Sequence, residues 1–154
     1  MIQEIFLWLG STAAGLALQE SRTAFAATEA VHIIGLSLVG GAVLVTDLAV
    51  LGVVLKSTAP RAVFGQLRTL YLSALAVVAV SGVLLVAAGP YKYYTNWLFP
   101  VKLSLLLIAA AIHAVLSRRL RRTAAPDGAA RTLAMTSLVA WTAVVIAGRW
   151  LGLI

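Results

Sequence analysis

Residues 69–89 read TLYLSALAVVAVSGVLLVAAG and contain no charged side chain. About 20 apolar residues are what an α-helix needs to cross the hydrocarbon core of a bilayer. Backbone N–H and C=O groups in hydrocarbon must be paired inside their own segment, so this run is predicted to be a transmembrane helix. Three more runs of the same character surround it. Residues 27–55 are interrupted after Ala30 by His32 and Asp47, residues 97–117 by Lys102 and His113, and residues 132–153 are uncharged as far as Gly148. The predicted fold class is therefore all-α, a four-helix integral membrane bundle.

Composition agrees. Of 154 residues 62% are hydrophobic and 11% charged, whereas a soluble domain carries about a quarter charged residues. Mean hydropathy is +1.00. The chain cannot cover itself with polar groups, so lipid is part of its solvent, and residues 1–154 form a single membrane domain. Zero cysteines exclude disulfides, thiolate metal sites and iron–sulfur clusters. A net charge of +7 would suggest nucleic acid in a soluble protein. Here the cations cluster in short loops, which is a topology signal; the expected partner is the lipid bilayer and not nucleic acid.

Lys56, Arg61 and Arg68 lie between the first two spans, and Arg118, Arg119, Arg121, Arg122 and Arg131 between the last two. The positive-inside rule places these loops in the cytoplasm and both termini outside, in a bacterial inner membrane. Tyr91, Tyr93, Tyr94, Trp97 and Trp150 then mark the outer interface. The earlier apolar stretch, Ile5 to Leu18, is short for a span and has no basic residue before it. Residues 4–19 are predicted to be one helix lying in the membrane interface.

Charged groups inside spans are costly and face the bundle interior or a wet cavity. The outer end gathers Glu29 and His32 from the first span, Lys102 from the third and Arg149 from the fourth. Glu29 and His32 are three residues apart and share a side of their helix. Gly35, Gly40 and Gly41 follow, which permits close helix approach or a flat cofactor against the backbone. The inner end gathers Asp47, expected to form an ion pair with Arg68, and His113, expected to hydrogen-bond near the interface. Two histidines in such a bundle raise the question of haem. At ~1.5 Å per residue, His32 and His113 differ by roughly 20 Å in depth, too far to ligate one iron. A haem b at the outer end would take His32 as the axial ligand of its iron, with Lys102 as second ligand or propionate partner and Arg149 also neutralising propionates. The other reading of the same four residues is an ion-pair cluster tying helix ends together.

The segment from Glu29 through His32, Gly35 and Gly40–Gly41 to Asp47 and Gly52 resembles the first helix of an uncharacterised family of short bacterial inner-membrane proteins. Gly82, the Gly89–Pro90 turn with its tyrosines, and Asn96–Trp–Leu–Phe–Pro–Val–Lys102 look like the rest of that family's pattern, from about Phe25 to Leu116. A histidine before Gly-Gly in one helix and a lysine early in a later one are also distantly similar to the CopD-like copper-resistance proteins and the HemJ-like protoporphyrinogen oxidases. The HemJ likeness implies haem, with its histidine and lysine corresponding to His32 and Lys102. The CopD likeness implies copper, although Met1 and Met135 are the only methionines and copper(I) favours soft ligands. The resulting expectation is a membrane haem b protein in electron transfer or redox chemistry at the periplasmic face. The alternatives are a cofactor-free accessory subunit of a larger membrane complex, and transport of copper or another cation. A small bundle with so much lipid-facing area also invites homo-oligomerisation.

Overall fold

The computed structural model describes residues 2–123 and 125–153. Among these the chain is all-α, with seven helices and no strand. In order they are α1 (Ile2–Ser11), α2 (Ala13–Glu20), α3 (Arg22–Val50), α4 (Pro60–Ala88), α5 (Pro90–Thr95), α6 (Leu98–Arg122) and α7 (Gly128–Leu153). Helices α3, α4, α6 and α7 are long and apolar enough to cross a membrane, as a multi-pass membrane protein requires. At ~1.5 Å per residue α3 and α4 run for roughly 44 Å, longer than the hydrocarbon core of ~30 Å.

Local chemistry sets the helix ends. Gly52 takes a positive φ of 73°, and the Val53 amide bonds back to Leu48 O at 2.9 Å. This left-handed stop ends α3 at Val50 and not at residue 55 as expected, because an apolar side chain does not keep a helix going past it. Pro60 and Pro90 open α4 and α5 at a first-turn position, where a missing N–H costs little. Asp127 caps α7: its Oδ1 accepts from the Ala130 amide at 2.9 Å and from Arg119 Nε at 2.9 Å. Hydrogen bonding with Arg119, then with the Ala130 amide, holds the Asp127 carboxyl down at about 2.

The bundle consists of two tight pairs, α3 on α4 and α6 on α7, joined through α3 and α7, while α4 and α6 barely touch. One apolar cluster holds Val39, Val43, Tyr71, Val78, Ala109 and Trp141; a second, nearer the arginine-rich loop, holds Val50, Phe64, Leu116 and Leu120. Large apolar side chains such as Leu107 (71% exposed) and Val139 (70%) cover the outside, which suits a lipid surround. Gly35 lets α3 close on α4, since a Cβ there would sit 2.9 Å from Val78 Cγ2. Gly40 and Gly41, by contrast, have nothing within 4 Å of their would-be Cβ atoms and mark no close approach.

The N-terminal segment departs from expectation. The single interfacial helix expected over 4–19 is two helices broken at Thr12, whose side chain accepts from the Gly15 amide at 3.1 Å and caps α2. The pair folds back on itself and packs on α4 and α5. Gln19 Nε2 donates to Gly10 O at 2.9 Å and Ala87 O at 3.0 Å, clamping this hairpin to the end of α4. Phe6 packs against Phe99 and Tyr94 at centroid distances of 5.7 and 6.0 Å. The hairpin is thus a lid over the tyrosine end of the bundle.

Candidate functional site

Because α4 and α6 diverge, a cavity of about 400 Å³ opens between them beneath the lid. Phe6 and Leu9 of α1, His32 of α3, Gly82 of α4, Tyr93 of α5, Lys102 of α6 and Val144 and Leu151 of α7 all line it. The remaining walls are aliphatic or aromatic. Such a largely apolar pocket with a few convergent polar groups is the usual form of a cofactor or small-molecule site.

His32 is half-buried and held by α4. Its Nδ1 lies 2.9 Å from Ser81 Oγ, and the Ser81 hydroxyl donates to Val77 O at 2.6 Å. A hydroxyl has one proton, so the oxygen that gives it to Val77 must accept from the imidazole. Nδ1 therefore carries the ring proton, and Nε2 keeps its lone pair. The Val78 carbonyl is a further acceptor near the ring. Gly82 makes room, since a Cβ there would stand 3.3 Å from His32 Cε1.

Lys102 approaches from the other side of the cavity, close enough to His32 for their charges to interact. Its side chain lies on Gly148, where a Cβ would be 3.3 Å from Cε and 3.5 Å from Nζ. Among the described residues no carboxylate pairs with it. The cavity thus presents one lone-pair nitrogen and one uncompensated ammonium in apolar surroundings.

The other two expected members do not line this cavity. Arg149 is exposed; Gly148 is the residue that meets Lys102, and one step along a helix turns a side chain by about 100°. Glu29 is also exposed. Its charge acts on Tyr93, whose phenol is held above its ordinary range by burial first and by Glu29 second. Among the described residues Glu29 makes no ion pair with Lys102 or Arg149, so the carboxylate that an ion-pair and hydrogen-bond cluster of these four residues needs does not join it.

At the basic half of the bundle the ion pair expected between Asp47 and Arg68 is absent. Asp47 is fully buried and neither of its oxygens has a hydrogen-bonding partner, while Arg68 points out of the bundle and is exposed. His113 is buried, and its ring packs on Tyr71 at 4.6 Å instead of bonding at an interface. Sequence reasoning placed Tyr93 at the outer interface but did not single out Ser81, Phe6 or Phe99 as site residues. A serine one residue before Gly82 in an otherwise apolar run is the one signal that marks such a polar contact.

Residues 4–154 match a family profile, with every cavity-lining residue inside the match. The chain belongs to DUF6644, a family of unknown function. The DUF6644 match extends beyond the Phe25–Leu116 resemblance to take in α1, α2 and α7, so the lid is part of the family domain. No curated protein and no solved structure matches the chain.

Proposed function

We propose that this protein is a b-type haem protein working in electron transfer at the periplasmic face of a bacterial cytoplasmic membrane, with both termini on that side. The observation that supports the reading is the Ser81-oriented His32, whose Nδ1 proton is committed and whose ring lines the cavity. Metal-bound histidines characteristically carry such a partner on their other nitrogen, which fixes tautomer and ring orientation. Lys102 supplies the cation for a propionate, or the second axial ligand, and the aromatic and aliphatic walls suit a flat apolar macrocycle. At about 400 Å³ the cavity lies within the range of cofactor sites. When bound, haem supplies one-electron chemistry; the chain contributes ligation, orientation and charge. The distant likeness to HemJ-like proteins points to the same histidine and lysine. The copper reading is less favoured, because among the described residues no three His, Cys, Asp or Glu side chains come together.

The test is a reduced-minus-oxidised absorption spectrum of detergent-purified protein, with haem quantified per chain. A b-type spectrum near one haem per chain is expected, lost in His32→Ala and retained in His113→Ala. Haem retained by the His32 variant would sink the assignment. Colourless protein after expression with ample haem would favour the accessory-subunit reading.

A further inference from the structure

Around Tyr71 and Trp141 of the first apolar cluster gather buried polar side chains, so that all four spanning helices contribute to one layer. Asp47 and Ser137 are 0% exposed, His113 3% and Trp141 6%. Five of their atoms have no partner among the described residues: both Asp47 carboxyl oxygens, His113 Nδ1, Ser137 Oγ and Trp141 Nε1. Folded interiors hold few such atoms, and their concentration in one layer marks a site that binds something polar.

Tyr71 joins the members. Its hydroxyl is within electrostatic range of Asp47, and its ring is 4.6 Å from that of His113 and 6.5 Å from that of Trp141. The Ser137 hydroxyl lies beside the Asp47 carboxyl, although no hydrogen bond of ordinary geometry closes between them. The groups facing this layer are thus Asp47 from α3, Tyr71 from α4, His113 from α6, and Ser137 and Trp141 from α7. On α3 itself, Thr46 is occupied with Ala42 O at 2.8 Å. Among the described residues no lysine or arginine pairs with any of them.

The donor and acceptor types decide the ligand. Trp141 Nε1 can only donate, which opposes a metal cation beside it, whereas carboxyl, hydroxyl and imidazole groups can each give or take a proton. A carboxylate buried without a cation is strongly disfavoured against its protonated form. We propose that Asp47, Tyr71, His113, Ser137 and Trp141 form a water-bridged proton-binding site, with Asp47 as the group that carries the proton. In the exchange the Asp47 O–H bond breaks and re-forms with a proton from a bridging water, with no net change in charge. The site is independent of the haem reading: Asp47 lies fifteen residues beyond His32 on α3, about 22 Å along the axis.

The chain has two aspartates, Asp47 and Asp127. Infrared spectroscopy of full-length Asp127→Asn protein labelled with carbon-13 at the aspartate carboxyl therefore reports Asp47 alone. The expected result is an isotope-shifted protonated-carboxyl band at pH 7 that moves again on exchange into heavy water, as a water-connected group should. In Ser137→Ala, which removes the hydroxyl beside the carboxyl, the midpoint at which the band disappears should rise, because a hydroxyl favours the charged form it can donate to. No isotope-sensitive protonated band at pH 7 would overturn the site, as would a band that ignores heavy water. An unmoved midpoint in Ser137→Ala would overturn the place of Ser137 beside the carboxyl.

Discussion

Replacing Ser81 with alanine isolates what orientation contributes to the cavity. In the wild-type protein the His32 ring is pinned by one bond of 2.9 Å to Ser81 Oγ, which is itself pinned by its 2.6 Å bond to Val77 O. Ser81→Ala removes the acceptor but leaves the cavity walls, His32 and Lys102 in place. The ring then gains rotational freedom, and its proton is no longer confined to Nδ1. Loss of the partner on the non-ligating nitrogen of a metal-bound histidine typically costs roughly 10–100-fold in affinity, or about 1.4–2.7 kcal/mol at 1.36 kcal/mol per decade. Haem titration into apoprotein in detergent, followed by absorbance, should show the dissociation constant rising by that factor. Ser81→Thr keeps a hydroxyl at the same position and should bind as wild type. Wild-type affinity in a Ser81→Ala protein of unchanged helix content would refute the argument that this bond sets the ligating tautomer.

Gly148→Leu should displace the Lys102 ammonium from its place on α7 and weaken binding of a carboxylate-bearing porphyrin more than that of its dimethyl ester. Equal loss for both ligands would mean the ammonium is not the anion partner. Gly15→Ala places a Cβ 2.6 Å from Leu9 O and 2.9 Å from Gly10 O, backbone atoms that cannot yield, and overpacking of this kind costs about 1–3 kcal/mol. Faster amide exchange across residues 2–20 is expected, with α3, α4, α6 and α7 unaffected; unchanged exchange would show that the hairpin does not depend on this contact. For the α6–α7 loop the sign is set by a depressed carboxyl: Asp127 sits at about 2 in the folded chain against 3.8 ordinarily. Its contribution is present above the ordinary value and lost as pH falls through the folded one. Melting of Asp127→Ala in detergent should therefore lie slightly below wild type at neutral pH, the pair being exposed, and converge with it near pH 2. A gap that stays constant down to pH 2 would contradict the pairing.

How much of this was legible beforehand differs by direction in space. The four long helices are written in uncharged runs such as 69–89, because hydrocarbon forces every backbone group to pair within its own segment. Depth is nearly as legible: His32 near the start of the first long run and Lys102 near the start of the third fall at the same end of the bundle by the ~1.5 Å rise alone. The helix ends were less so, since Gly52 stops α3 through a backbone angle that hydropathy does not record.

Rotation about each axis was not legible at all. Whether Gly148 or Arg149 meets Lys102 is a matter of one residue and about 100°, decided by which ridge of α7 packs against α6. The same packing turned Arg68 outward, left Asp47 without the partner that charge alone suggested, and put Ser81 against His32. The lid is a tertiary product for a similar reason. Its amphipathic pattern fits an interfacial helix equally well, and only the close approaches at Gly10 and Gly15 and the Gln19 bond to Ala87 O fold it onto the bundle. Composition and periodicity therefore settled which segments cross and at what depth their polar groups lie. Packing between helices settled which of those groups meet, because azimuth depends on side-chain fit across an interface that no single segment contains.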